Sequence, residues 1–347
     1  MRLPWVRKRS TKATMTAETP LAGVELLLAD LDGVVYRGRK AVPYAVESIR
    51  AAADRIRVGY ITNNASRTPQ AVADQLRGLG LELTPDEVVT SPQAGVALLA
   101  ELIPAGATVL VVGGEGLTSA VADAGFEVTR SADDRPAAVI QGFAPELGWA
   151  DLAEAAFALQ GEGAETPWIA TNTDWTIPLE RGTAPGNGTL VSAVHSAVGR
   201  LPQVAGKPET AIFEEAFRRF GTRAALMLGD RLDTDILGAN RAGIRSALVL
   251  TGIDQAKQVL AAVPDERPSM ILDDLRGLHE PYPPIVESAE GESVLIRSGE
   301  AVVRRNGAEL SVVSGGGIDL LRAGAASIWR SGMAIYALLV PPALYGE

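Results

Sequence analysis

Four short polar segments carry the residue types that phosphoryl transfer needs: Asp30-Leu31-Asp32-Gly33-Val34, Thr62-Asn63-Asn64, Lys207-Pro208 and Gly229-Asp230-Arg231-Leu232-Asp233-Thr234-Asp235. Two carboxylates two positions apart can divide the labour of a hydrolysis. Asp30 would attack phosphorus and become an aspartyl phosphate, while Asp32 protonates the leaving alkoxide and later deprotonates the hydrolytic water. Hard oxygen donors suit Mg2+, which keeps several waters and uses only one or two carboxylates besides the phosphate. Asp230 reads as a direct ligand together with Asp30 and the backbone carbonyl of Asp32, and Asp235 as holding a metal-bound water or capping a following helix. Such an ion screens the repulsion between an anionic nucleophile and an anionic phosphate. Lys207 adds a second positive charge, and Thr62 with the backbone amides of Asn63 and Asn64 offers donors to phosphoryl oxygens.

Each segment alone also has a plainer reading: an Asp-Gly turn after a strand, a strand-end turn with a helix cap, an exposed Lys-Pro pair, a solvated Asp233. The information lies in the ordered set.

Composition narrows the partners of this chemistry. A formal net charge of -10 repels a polyanion at long range, so nucleic acid is not expected as partner and a bound phosphate must be held by local charge. With no cysteine and only His195 and His279, thiolate catalysis, disulfides and zinc-thiolate sites are excluded, and acid-base work falls to carboxylates and lysine. The apolar stretches 24–29 and 334–340 are far short of the roughly 18 residues of a membrane span, which points to a soluble, cytoplasmic protein. Residues 1–20 carry Arg2, Arg7, Lys8, Arg9 and Lys12 without the apolar core of a signal peptide; they read as a disordered basic leader, with Met15 a competing start to Met1.

The elements that must position the four segments follow from periodicity. Strand-like runs at 24–32, 56–64, 224–230 and 246–251 each end in a polar turn, and helix-like runs at 43–54, 69–79, 208–220 and 235–242 separate them. That alternation predicts a parallel sheet with right-handed crossovers, whose strands present ligand-binding residues at their carboxyl ends. More than a hundred residues between Asn64 and Lys207 exceed any connection and predict an inserted α/β unit at 104–201, between core segments 21–103 and 202–280. The prolines of Pro281-Tyr282-Pro283-Pro284 mark a boundary, and 285–347 reads as a small α+β appendage with strands at 294–296, 301–304 and 310–313 and a helix at 318–329. In the insert, Gly113-Gly114-Glu115-Gly116 imitates a nucleotide loop, but its glycine spacing fails and a strand-to-helix turn is preferred.

Taken together, Asp-x-Asp-Gly-Val, Thr-Asn-Asn, Lys-Pro and Gly-Asp-x-x-x-x-Asp resemble the haloacid dehalogenase-like phosphatases over residues 21–277. An insert after the second motif is similar to the subgroup with a large α/β cap, which includes nitrophenyl phosphatases, phosphoglycolate phosphatases and glycerol-3-phosphate phosphatases. The resemblance implies a Rossmann-like parallel-sheet core with an inserted α/β cap domain, and an Mg2+-dependent phosphomonoesterase. It implies Asp30 as nucleophile, Asp32 as acid and base, Thr62 and Lys207 as phosphate-binding, and Asp30, Asp32 and Asp230 as the metal set. In the cap, Thr171-Asn172-Thr173-Asp174 and Pro185-Gly186-Asn187-Gly188-Thr189 resemble segments that approach the leaving group, so Asn172 and Asp174 join the expected substrate contacts; a strand end and a glycine turn are the plain alternatives. Cap-bearing relatives selective for pyridoxal phosphate carry a histidine near the position of Ile177, whereas here the nearest is His195, which argues against that substrate.

The expected function is hydrolysis of a small metabolite phosphate ester, with glycerol 3-phosphate or phosphoglycolate favoured. The rival readings are a phosphoacceptor signalling domain, and a nucleotide or pyridoxal phosphate phosphatase of the same family. A homo-oligomer formed through the cap or the appendage is a further expectation.

Overall fold

The computed structural model describes residues 18–179 and 181–346, so most of the expected leader, Met15 included, lies outside the described residues. Six parallel strands form the main sheet, in the order Met270–Leu272, Arg245–Val249, Ala225–Gly229, Leu26–Ala29, Arg57–Thr62, Val88–Thr90. Leu26–Ala29 is buried along its whole length, as a central strand covered on both faces must be. From it the chain passes to Arg57–Thr62 on one side and, much later, to Ala225–Gly229 on the other. The strand order reverses there, and the crevice at the carboxyl ends is where a doubly wound sheet takes its ligand.

A second parallel sheet runs Gln203–Val204, Trp168–Ala170, Ala138–Gln141, Thr108–Val112, Glu127–Thr129. Its last strand falls beyond 201, the expected end of the insert, because a two-residue strand carries no period to read. The glycine-rich stretch after Val112 leads directly into the helix Glu115–Asp123, a strand-to-helix turn. Helix Ser91–Leu102 joins the two sheets: Ala94, Val96 and Leu99 belong to one apolar cluster with Leu26, Leu28 and Ile61 of the main sheet and Val109, Ile140 and Ile169 of the second. At Gly95 an added Cβ would stand 3.0 Å from Ile140, so the helix lies close against that sheet.

Helix boundaries shift where side chains or turns intervene. Pro69–Gly78 starts as expected, with the Thr68 hydroxyl accepting from Ala71 N–H at 3.2 Å and proline at the first position. Pro208, expected inside a helix, precedes it: Glu209 N–H closes a turn onto Gly206 O at 2.9 Å and the helix is Ala211–Phe220. The expected helix at 235–242 is instead a π-helical turn, Leu232–Ile236, running into Leu237–Arg241. In this turn the Asp235 carboxylate folds back and accepts the N–H groups of Asp230 and Arg231 at the turn's start.

After the proline-rich boundary the chain forms a four-stranded antiparallel sheet, Val286–Glu290, Ser293–Ser298, Ala301–Asn306, Glu309–Ser314, followed by helix Gly317–Arg330. Val286–Glu290 was not expected; all five of its residues are exposed, so its sequence shows no buried face. This appendage shares an apolar cluster with the main sheet and the helix Ala256–Ala261, in which Ile296, Val303, Leu320 and Ile328 join Leu248 and Ile271 of the sheet and Val259 and Leu260 of the helix. It also covers the sheet's edge strand. Arg322 donates to Ile271 O through Nε at 2.9 Å and Nη2 at 2.8 Å, while Ile271 N–H donates to the Tyr282 hydroxyl at 3.1 Å. Edge groups satisfied this way no longer offer a template for another strand.

Arg322→Ala would strip both donors from a buried carbonyl, and the expected loss of stability is about 2–3 kcal/mol. Urea titration should show a lower midpoint at unchanged slope; a midpoint equal to that of the parent chain would mean the edge is held by other contacts.

Candidate active site

All four polar segments sit at carboxyl ends of strands, and the structure brings most of their side chains into two adjoining groups. In the first, Asp30 follows Leu26–Ala29, Asp230 follows Ala225–Gly229, and Asp235 arrives from the π-helical turn. One carboxylate oxygen from each lies within 4.8 Å of the others. Lys207, only 3% exposed, donates from Nζ to Asp30 Oδ1 and, at 2.7 Å, to Asp235 Oδ1. The other Asp235 oxygen accepts the N–H groups of Asp230 and Arg231, both at 3.2 Å. Asp230 Oδ2 accepts from Ile253 N–H at 2.8 Å.

Glycines make this crowding feasible. Gly33 has φ +81°, and a Cβ there would fall 2.3 Å from Asp230 Oδ2; a Cβ at Gly252 would fall 1.9 Å from the same atom. Thr251, at the end of a fourth strand, donates its hydroxyl to Gly33 O at 2.7 Å and pins the turn after Asp32. Thr251, Gly252 and Ile253 were not among the expected site residues, although their strand was expected and the carboxyl-end rule pointed to them.

The electrostatics of this group follow from burial. Fully ionised, three carboxylates against one ammonium would leave two uncompensated negative charges in a nearly dry site, and the cluster answers by holding protons more tightly. Burial pushes Asp30 well up, and although Lys207 opposes this, Asp235 and Asp230 add to it. Burial, then Asp235, pushes Asp230 up to about 7. Burial pulls Lys207 down, but Asp235 and Asp30 outweigh it and keep the ammonium above its ordinary range. One divalent cation would neutralise the surplus, and hard oxygen donors this close together are the set Mg2+ takes. The residues therefore fit that ion, with Asp30 and Asp230 as carboxylate ligands and Asp235, both of whose oxygens already accept hydrogen bonds, bracing the group from outside.

Asp32 stands apart from the three. Its outer face is open to solvent, yet protein surrounds it closely enough that burial pushes its carboxyl up, against the charges of Lys207 and Arg67. Tyr36 lies beside it, joined through a backbone bridge between Asp32 and Tyr36. A carboxyl at an open mouth with a raised pKa is suited to hold a proton for a leaving group.

The second group links the two sheets. Asn63 Nδ2 donates to Lys207 O at 2.9 Å and to the Asp174 carboxylate at 3.1 and 3.3 Å, while Asn63 Oδ1 accepts from Lys207 N–H at 2.8 Å. Asn63 O accepts from Asn172 Nδ2 and from the Ser91 hydroxyl, both at 2.8 Å. Burial pushes Asp174 up against its bond from Asn63, and the charges of Lys207 and Arg231 act on it too. Gly186 and Gly188 permit the close approach behind it: added Cβ atoms would lie 2.1 Å from Asp174 O and 2.4 Å from Thr173 O. Of the stretch 185–189, read either as a leaving-group segment or as a glycine turn, Asn187 onward forms the start of helix Asn187–Val198.

Thr62 and Asn64 are adjacent but turned to their own loop. Asn64 N–H donates to Thr62 Oγ1 at 3.1 Å, and Asn64 Oδ1 accepts from Ser66 N–H at 3.0 Å and Arg67 N–H at 3.3 Å. Asp233 is exposed and paired with Arg231 at 2.7 Å, the solvated turn residue that was expected. Arg67, outside any motif, and Arg231, a variable position within one, were given no role; only the fold brings their charge beside Asp32 and Asp174.

Comparison with known proteins agrees with this geometry. The profile described as haloacid dehalogenase-like hydrolase matches residues 27–127, and one described as HAD-hydrolase-like matches 204–278. The D-glycerol 3-phosphate phosphatase of Mycobacterium tuberculosis is 48% identical over 256 residues, covering 74% of this chain and 71% of that protein. The glycerol-3-phosphate phosphatase of Gallus gallus is 36% identical over 266 residues, covering 70% and 85%. Among solved structures, the glycerol phosphate phosphatase of Mycobacterium tuberculosis in complex with magnesium superposes with a TM-score of 0.79 at 41% identity, covering 91% of this chain and 94% of that one. The chain belongs to the haloacid dehalogenase-like hydrolases. Within them it is a phosphatase of the branch with an inserted cap, and its acidic cluster has the donor set that magnesium takes. No helix among the described residues is long and apolar enough to cross a membrane.

A native carboxylate with a raised pKa binds more protons than the unfolded one, so the metal-free chain should lose stability as pH rises from 3.8, the ordinary aspartate value, through about 7. Mg2+ needs the deprotonated form, so its stabilisation should grow with pH over that interval and level off above it, reaching about 2.7 kcal/mol at a hundredfold excess over Kd. Thermal melts with and without Mg2+ across that range test this; a Tm gain that does not change with pH would count against the cluster as the metal site.

Proposed function

We propose that this phosphatase hydrolyses glycerol 3-phosphate, with Asp30 as the nucleophile. The observation that carries the chemistry is the convergence of Asp30, Asp230, Asp235 and Lys207 at one sheet mouth with Asp32 at its open side. The substrate rests on the printed activities of the relatives from Mycobacterium tuberculosis and Gallus gallus.

In this reading an Asp30 carboxylate oxygen attacks phosphorus and the bond to the alkoxide breaks, leaving an aspartyl phosphate and a free alcohol. Asp32, protonated because its surroundings raise its pKa, gives its proton to the departing oxygen. Now ionised, Asp32 takes a proton from water, whose oxygen attacks phosphorus and returns Asp30 as a carboxylate with inorganic phosphate released. Lys207 holds its ammonium against Asp30 throughout and neutralises charge gathering on the phosphoryl group. Mg2+ bound by Asp30 and Asp230 supplies Lewis-acid charge that lets one anion approach another. The Thr62 hydroxyl and the backbone amide of Asn63 are the proposed donors to the remaining phosphoryl oxygens, while Asn64 N–H is bonded to Thr62 Oγ1 and orients that hydroxyl.

Asp30→Asn should cut phosphate release by about 10^4-fold or more while leaving the fold intact, as judged by circular dichroism. Full activity in that variant would remove the nucleophile assignment. Asp32→Asn should slow glycerol release by at least about a hundredfold, yet give a stoichiometric burst of nitrophenolate from 4-nitrophenyl phosphate, whose leaving group needs no proton. A burst-free, equal loss on both esters would show that Asp32 is not the acid. Across a panel of small phosphate esters with Mg2+, glycerol 3-phosphate should have the highest kcat/KM; a nucleotide or pyridoxal phosphate exceeding it tenfold or so would overturn the substrate, one decade being about 1.4 kcal/mol of transition-state binding.

A further inference from the structure

Asn63 was expected to meet substrate through its backbone amide; its side-chain amide has no donor left to give a ligand. An asparagine amide offers two N–H donors and one oxygen. Here one N–H is directed at Lys207 O at 2.9 Å, the other is shared between the Asp174 carboxylate oxygens at 3.1 and 3.3 Å, and the oxygen accepts Lys207 N–H at 2.8 Å. The reverse amide orientation would face donor to donor at Lys207 N–H and acceptor to acceptor at both other partners, so the network fixes which atom is which. What remains is a lone pair on Oδ1, which repels a phosphoryl oxygen.

These bonds join elements remote in sequence. Asn63 follows a strand of the main sheet, Asp174 lies in the loop after Trp168–Ala170 of the second sheet, and Lys207 stands on the segment returning from that sheet to the helix Ala211–Phe220. Behind Asn63, Asn172 Nδ2 and the Ser91 hydroxyl hold its backbone carbonyl, and Asn187 Nδ2 donates to Asn172 O at 2.7 Å. Gly206 leaves room for the clasp: a Cβ there would lie 2.4 Å from Thr171 O and 2.6 Å from Asn63 Oδ1.

We propose that Asn63 is a positioning residue, a clasp that holds the Lys207 backbone and the cap's Asp174 with one amide, so that the seating of the cap and the placement of the ammonium are a single event. Asp174 accordingly acts through Asn63 and not by contact with the ester. The proposal rests on the phosphatase reading above and does not depend on which small ester is the natural one. Loss of the clasp leaves Lys207 with its charge but without its fixed backbone, so the chemical step suffers more than binding.

The test uses the full chain with Mg2+ and 4-nitrophenyl phosphate. Asn63→Ala should lower kcat about a hundredfold, the size of effect expected from a displacement of about 1 Å, with KM and competitive inhibition by inorganic phosphate changed by less than about threefold. Asp174→Ala should lower kcat about tenfold, and Asp174→Asn should recover most of that loss, because an amide oxygen still accepts from Asn63. In the double variant Asn63→Ala, Asp174→Ala, kcat should stay within about threefold of Asn63→Ala alone, since the bond is already gone. Multiplying losses in the double variant, or a weakened phosphate inhibition constant in Asn63→Ala, would overturn the clasp and make Asn63 a phosphate ligand. If Asn63→Ala does not fold, the Asp174 pair decides: Asp174→Asn as impaired as Asp174→Ala, with raised KM, also overturns it. A parent chain that releases no phosphate from any ester would sink the phosphatase reading and the clasp with it, whereas an active parent with independent losses sinks the clasp alone.

Discussion

A buried acidic cluster, three carboxylates against one ammonium at the point where the strand order of the main sheet reverses, is what the rest of the molecule is arranged around. Desolvating a carboxylate costs several kcal/mol even after relaxation, and three of them share one buried lysine. Such a cluster lowers the stability of the fold that contains it, and it persists because a doubly wound sheet supplies what holds it. Strand ends deliver Asp30 and Asp230 side by side, backbone N–H groups of Asp230, Arg231 and Ile253 point into the group, and glycines at 33 and 252 let the chain close on it. The acidic cluster is also the function, since it creates the demand for a divalent cation, whose charge then lets an anionic ester approach.

Lys207 reaches this cluster from the other sheet. It lies on the return from the strand Gln203–Val204, so its ammonium belongs to the main sheet's chemistry and its backbone to the second sheet's geometry. Asn63 and Asp174 bind these two identities together, and helix Ser91–Leu102 does the same through apolar contact. The inserted unit is therefore tied into the core by polar and apolar contacts at once. The C-terminal sheet and helix act at the far edge, where Arg322 and Tyr282 complete the hydrogen bonds of the last strand.

Much of the core was legible before any coordinates. The strands ending at Ala29, Thr62, Gly229 and Val249 announce themselves as apolar runs cut off by Asp, Asn or Gly, because a buried parallel strand has no polar face and its carboxyl end must turn toward solvent. Elements with weak periodicity were not legible: Val286–Glu290 lies open on the surface, Gln203–Val204 is two residues long, and the turn Leu232–Ile236 takes its width from hydrogen bonds to Arg231 O that no spacing encodes.

The same division runs through the site. Sequence by itself determined which residue types could carry the reaction and in what order, since carboxylates, an amide-rich turn and a lysine at strand ends are chemistry that spacing can show. Tertiary structure alone decided how their hydrogen-bonding capacity is spent. Asn63, Asn64, Asn172 and Asp174 look alike as candidates for binding substrate, yet Asn64 is turned into its own loop and the other three are bonded to one another. The physical reason is that each polar group has few donors and acceptors, and whether they meet a ligand or a neighbour depends on contacts across more than a hundred residues of chain, which local sequence does not record.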